Sequence, residues 1–203
     1  MSLVPPTAAT QQPPAFRRAT EEDAIALARE TFLADERVDM NTLAGRLGIS
    51  RATLHRWVHT RENLLDRVLG QLTDDFMADG LDQARRHPED AVGTLALSVV
   101  RATAGSPGLR GFAAREPELS LRLLLGADGA VRRRAVAGVE TLLDERYADE
   151  AARLEGFGET IVEVVVAMQW ATLIAGDEPS AERIAGIVRA LLAGARAGAL
   201  PAG

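Results

Sequence analysis

The chain has 203 residues, 47% of them hydrophobic and 26% charged, a balance that suits a globular protein with a sizeable buried core. It contains no cysteine, which excludes a disulfide framework and a thiolate metal site, and a net charge of -6 by itself argues against a nucleic-acid partner. The opening MSLVPPTAATQQPPAF has no basic stretch followed by an apolar core, so it is not a secretory signal.

In chain order, residues 1–18 form a tail rich in Pro, Thr, Gln and Ala that is expected to stay disordered, because it has too little apolar surface to bury. Thr20 followed by Glu21, Glu22 and Asp23 predicts the start of a helix running to about Ala34. Asp39 caps a second helix carrying Leu43 and Leu47, which Gly48 ends. Ser50 caps a third. Thr60 caps a fourth, whose Leu65, Val68, Leu69, Leu72 and Phe76 keep helical spacing until about Arg86. Pro88, Glu89 and Asp90 open a helix to Gly105, short helices broken by glycine and proline follow, and AVRRRAVAGVETLLDERY predicts another long helix. The chain closes on two helices joined by a Gly-Asp-Glu-Pro turn. The most apolar segment, Ile161 to Ala175, is interrupted by Glu163 and Gln169 and is too short to span a bilayer, so the expectation is a cytoplasmic protein with no membrane partner.

The distribution of charge is more informative than its sum. Residues 17–70 hold nine arginines and nine acids, so the whole acidic excess lies after residue 70. Arginine recurs at every fifth position from Arg46 to Arg61, a local basic stripe on an acidic body. On a wheel of 100° per residue, Leu54, Trp57 and Val58 share one arc of the third helix, while Ala52, Thr53, His55 and Arg56 take the other, with Arg51 at its edge. A short helix held by one narrow stripe and presenting small, hydroxyl and guanidinium groups fits a DNA major groove. Arginine can donate two hydrogen bonds to guanine, and alanine permits close approach. The alternative is an ordinary solvated face of a helical hairpin.

The stretch DMNTLAGRLGISRATLHRWVHTRENLLDRVL resembles the N-terminal domain of the TetR family of transcriptional regulators, with Leu43, Ala44, Gly48, Thr53, Leu54 and the run Leu64 to Asp66 in register. That resemblance implies an all-α protein with a three-helix helix-turn-helix DNA-binding domain over 19–70 and a larger C-terminal effector-binding and dimerisation domain over 71–203. It implies DNA contacts by Asn41, Arg51, Ala52, Thr53, His55, Arg56 and Trp57, and a phosphate contact by Arg61. His55 stands where the family usually has tyrosine. The implied partners are a palindromic double-stranded operator, a second copy of the chain and a small-molecule effector, with no cofactor.

The second half, through GFAAREPELSLRLLLGADGAVRRRAVAGVETLLDE and LIAGDEPSAERIAGIVRALL, resembles the TetR-type subgroup that regulates degradation of quorum-signal lactones, which implies a lactone or acyl-chain effector. Candidate cavity walls are Phe112, Leu119, Leu123, Val166, Trp170 and Leu173, with Arg115, Glu116 and Gln169 to orient a ligand. Each apolar member is also consistent with plain core. Ile184, Ile187, Val188 and Leu191 form one apolar stripe on the last helix, and the helix before it is apolar nearly all round, which together predict a dimer interface of paired hairpins.

An enzyme is the rival class. His55, His59 and His87 make no metal-ligand spacing, GFGET has neither a preceding strand nor a third glycine, and Asp74 and Asp75 diverge on a helix. A DNA-binding scaffold without an effector is the remaining alternative.

Overall fold

The computed structural model describes residues 18–126 and 128–198. Most of the predicted tail therefore lies outside the described residues. Among the described residues there are eleven α-helices and no strand, so the fold is all-α.

The first four helices begin where the sequence signals place them. Thr20 and Asp23 close a reciprocal capping box on α1 (Glu21–Leu33), Asp39 accepts from Asn41 and Thr42 at the start of α2 (Met40–Arg46), Ser50 accepts from Thr53 to open α3 (Arg51–Val58), and Thr60 accepts from Asn63 to open α4 (Arg61–Arg86). Each cap satisfies backbone N–H groups that have no partner inside their helix. Between α2 and α3 the chain reverses at Gly48, whose φ of 64° lies in the left-handed region that a side chain disfavours. The turn is short, so α3 is held against α1 and α2 by Leu54 and Val58, both buried.

Helix α4 has 26 residues, about 39 Å at the helical rise, and runs from the small N-terminal head into the body. There it packs on α5 (Ala91–Gly105) and α8 (Ala130–Tyr147). The sequence reading starts α5 at Pro88; instead Pro88–Asp90 form a tight 3-10 turn. The cause is a pull on the Asp90 side chain: Arg189 grips its carboxylate at 2.6–2.8 Å, and Asp90 adopts a non-helical φ of -140°. Helices α6 (Pro107–Arg115) and α7 (Pro117–Leu125) are short because Ser106 and Glu116 break the chain ahead of each proline. A 3-10 turn at Ala148–Glu150 and the one-turn α9 (Ala151–Leu154) lead to α10 (Phe157–Ile174), and α11 (Ala181–Arg196) returns along α5 and α10.

Helix α10 begins earlier than its apolar run suggests and reaches 18 residues, long and apolar enough on those grounds to cross a membrane, yet half of it is buried inside the bundle. It is the core helix of the body, covered by α5, α6, α7, α8 and α11. The buried apolar residues of head and body form one continuous cluster, from Ala24 and Leu54 through Leu65 and Leu72 to Trp170 and Val188. Rotation of the head therefore has to be accommodated by packing, because no linker separates the two parts.

Candidate DNA-reading face and ligand cavity

Helix α3 separates its two faces as its sequence requires. Leu54 and Val58 are buried and Trp57 packs half-buried against the core, while Arg51, Ala52, His55 and Arg56 are exposed. Thr53 is half-buried, and its hydroxyl lies 2.9 Å from that of Ser50, which fixes its rotamer at the helix start. Asn41 is exposed on the first turn of α2, where its backbone N–H donates to Asp39.

The arginines of the head fall into two groups. Arg29 pairs with Asp75, Arg67 with Glu21, and Arg61 with Glu116, so these three are occupied in holding elements together. Arg51 and Arg56 have no carboxylate partner among the described residues. An exposed guanidinium left without a counter-charge keeps its donors for an external acceptor, and its bidentate geometry matches guanine or phosphate.

Arg61, for which the resemblance implies a phosphate contact, is engaged within the chain in this structure. Its Nη1 and Nη2 donate to the two carboxylate oxygens of Glu116 at 2.7 and 2.6 Å, its Nε donates to the carbonyl of Val38 at 2.6 Å, and its side chain is only 19% exposed. One donor on each of its three nitrogens is turned inward, toward the joint between head and body. Glu116, expected to orient a ligand, is consumed by the same contact, and its carboxyl is held below the usual carboxylate range by those hydrogen bonds, against the opposing effect of burial. Arg115, the other charged group expected at the ligand, donates instead to Asp35 at 2.7 Å.

The cavity lies deeper. It measures about 80 Å³ and is enclosed by α4 (Leu69, Leu72, Phe76), α5 (Leu95, Val99, Thr103), α8 (Val131, Ala135, Val139) and α10 (Ile161, Val165, Val166, Gln169, Trp170), with Leu109 of α6 and Leu124 of α7 closing it. Val166, Gln169 and Trp170 line it as the sequence reading expects. Phe112, Leu119, Leu123 and Leu173 do not. Phe112 faces the head, where its ring meets Phe32 of α1 edge-to-face at 5.6 Å; Leu119 and Leu173 are buried core, and Leu123 is half-buried against that core. The residues that sequence reasoning missed lie mostly on the α4, α5 and α8 faces. Their apolar spacing was visible, but nothing in it says which buried face borders empty space.

Polar groups in the cavity are few. The hydroxyls of Thr73 and Thr103 donate to the carbonyls of Leu69 and Val99, one turn back in their own helices. Gln169, 3% exposed, has a single long hydrogen bond among the described residues, from Nε2 to the carbonyl of Val100 at 3.4 Å. Among the described residues, no ionisable side chain lines the cavity.

The predicted dimer stripe divides. Ile184 and Val188 are buried inside the protomer against α5 and α10, so they are core and cannot meet a second chain. Ile187 and Leu191, one face further round, are half-exposed, and on α10 Val164 and Met168 are half-exposed beside the exposed Ala167 and Ala171.

A short exposed reading helix on a head whose long fourth helix enters a cavity-bearing helical body defines a helix-turn-helix DNA-binding transcriptional regulator. Residues 88–193, more than half of the chain, match the family described as tetracyclin repressor-like, C-terminal domain, and the chain belongs to the TetR family. Among solved structures, the chain is similar to the transcriptional repressor QsdR of R. erythropolis, from the TetR family, with 26% identity and a TM-score of 0.72 over 85% of this chain and 94% of that one. It shares its fold with the TetR family repressor AlkX of a Dietzia species, implicated in biodegradation of n-alkanes, with 20% identity and a TM-score of 0.62 over 89% of this chain and 98% of that one. No curated protein sequence matches it.

Proposed function

We propose that the chain is a cytoplasmic, homodimeric repressor that binds a palindromic operator through residues 19–70 and leaves it when a small, uncharged, mostly apolar effector enters the cavity of residues 71–203. The observation that carries the DNA half is the unpaired Arg51 and Arg56 on an exposed helix face whose opposite side is buried. Asn41, Ala52, Thr53 and His55 complete that face, with Trp57 at its edge. A dimer follows from the geometry of reading, since one eight-residue helix covers too few base pairs and two heads read a repeated half-site. The half-exposed Ile187 and Leu191 with Val164 and Met168 supply the apolar surface for it. Replacing Ile187 with Arg puts an unpaired charge into that surface, and sedimentation should then show monomers with collapsed operator affinity.

The effector reading rests on the cavity. Its lining has no ionisable group and one incompletely bonded amide, Gln169, so it suits a ligand with an apolar body and a single polar handle. At about 80 Å³ it falls below the few hundred Å³ common for ligand sites. A ligand must therefore push its walls apart, and that requirement links occupancy to the shape of the body. Resemblance to the lactone-responsive subgroup makes lactones and fatty-acyl compounds the first panel. The test is thermal shift and operator release across that panel, with Trp170 fluorescence as reporter in a Trp57→Phe background. An effector should raise the melting temperature, change the Trp170 signal and lower operator affinity together. A compound that releases DNA without changing Trp170 would place the effector site elsewhere.

A further inference from the structure

The joint between head and body is packed more closely than its sequence suggests. A Cβ on Gly108 of α6 would stand 2.0 Å from the carbonyl oxygen of Phe32, and one on Gly111 would stand 1.7 Å from the Asp35 carboxylate, so α6 lies directly on the end of α1. Phe112, on the same helix, meets Phe32, and Arg115 at its end holds Asp35. Asp35 itself has a φ of 60°, in the left-handed region costly for a residue with a side chain. Glu116 follows immediately and grips Arg61, the first residue of α4, with both oxygens, while Arg61 ties back to the carbonyl of Val38 just before α2. One carboxylate therefore joins the body to the start of α4 and, through Arg61, to the segment that launches the DNA-reading pair. Across its short width α6 also turns Leu109 into the cavity.

We propose that Glu116 is a positioning residue for DNA binding: its bidentate grip on Arg61 sets the angle of each head and so the half-site spacing that the dimer accepts. The proposal rests on the dimeric operator-binding reading above. The grip has the properties a positioning contact needs. It is charge-assisted, planar and two-pronged, so it resists twist as well as separation. It is largely shielded, with side chains 19% and 18% exposed, so salt screens it less than an exposed pair. It also keeps Arg61 away from phosphate. Arg37, 3.8 Å from the same carboxylate and 72% exposed, is the only other cation within salt-bridge distance of it among the described residues.

The chain has no cysteine, so Ala26→Cys on the exposed side of α1 gives each protomer a single site for a spin label. Dipolar spectroscopy on the full-length dimer then reads the head-to-head distance, and binding to synthetic duplexes with one base pair inserted or removed at the centre of the operator reads spacing selectivity. The expected result is one narrow distance for the unmodified joint and a broader or shifted one for Glu116→Gln and for Arg61→Gln. The penalty for the altered spacers should shrink by about tenfold, as the loss of one charge-assisted hydrogen bond predicts. The charge-exchanged double variant, Arg61→Glu with Glu116→Arg, restores the ion pair but not the donation to the Val38 carbonyl, so it should narrow the distribution relative to either single variant without fully restoring it, which distinguishes positioning from simple loss of folding. Unchanged distance and spacing preference in Glu116→Gln would overturn the proposal. A wild-type sample with no dipolar signal would instead overturn the dimeric reading on which it rests.

Discussion

Helix α3 leaves Arg51 and Arg56 without carboxylate partners among the described residues, whereas several arginines of the body are held in ion pairs between elements: Arg85 with Glu145, Arg101 with Glu182, Arg189 with Asp90 and Arg196 with Glu150. The same side chain serves two ends. In those pairs it ties elements around an apolar interior that has spare volume; on α3 it is kept free on a surface anchored by little more than Leu54 and Val58. Lack of a carboxylate partner does not by itself mark a functional arginine, since the exposed Arg86, Arg122 and Arg183 of the body have none among the described residues either; what sets Arg51 and Arg56 apart is their place on the exposed face of α3. In the cavity, Gln169 has a single long hydrogen bond among the described residues, while the two threonine hydroxyls are bonded within their own helices.

The largest effect should come from the head's thin anchor. Leu54 is fully buried, and Leu54→Ala is expected to cost about 2–5 kcal/mol and abolish operator binding. Hydrogen exchange should show the loosening confined to α1–α3 and the start of α4, with α10 still protected. Equal loosening in α10 would mean that the head and body unfold as one unit and that the contrast drawn above has no energetic counterpart.

Next in size is base reading. Arg56→Ala should cost about 1–3 kcal/mol on the operator and relax sequence preference, because a free guanidinium on the exposed face carries direct readout. Substituting a paired arginine of the body, Arg101→Ala, should leave DNA affinity unchanged, since Arg101 is exposed and bound to Glu182 far from α3. Competition titrations on specific and random duplex measure both. A capping change is expected to be smaller: Ser50→Ala removes the acceptor for the Thr53 amide and should lower stability by about 1 kcal/mol, read as a shift in urea midpoint.

The smallest effect is the pH dependence of the joint. Glu116 is held below the usual carboxylate range, first by hydrogen bonds from Arg61, with Arg37 and Arg115 adding to the same side and burial opposing. A depressed carboxyl contributes stability that is fully present above its ordinary value, about 4.3, and is lost as pH falls through the depressed one. Stability should therefore fall more steeply below about pH 4 in wild type than in Glu116→Gln; parallel acid titrations of the two would show that the pair contributes nothing.

How much of this was legible in the sequence depended on the range of the interaction. Thr20, Asp39, Ser50 and Thr60 cap their helices through contacts within three residues, and the two faces of α3 follow from a period of 3.6, so both could be read directly. Periodicity also located the stripe on α11, but it could not say that Ile184 and Val188 turn toward α5 while Ile187 and Leu191 turn away, since a stripe wider than one contact serves core and interface alike. Arg61 and Glu116 are 55 residues apart, and Phe32 and Phe112 further still. Nothing local marks such partners. The resemblance implies a phosphate contact for Arg61, and Glu116 is a candidate to orient a ligand; neither reading could anticipate that the two pair with each other in this structure.

The central claim is that unpaired arginines on α3 make this chain a sequence-reading regulator, and the most direct test is selection of duplexes from a random pool by the purified full-length protein, run for wild type and Arg56→Ala. Wild type should enrich a palindrome with two half-sites, and Arg56→Ala should lose preference at symmetric base positions while retaining salt-sensitive binding to duplex of any sequence. Enrichment of no sequence by wild type, or the same enriched palindrome from Arg56→Ala, would contradict it.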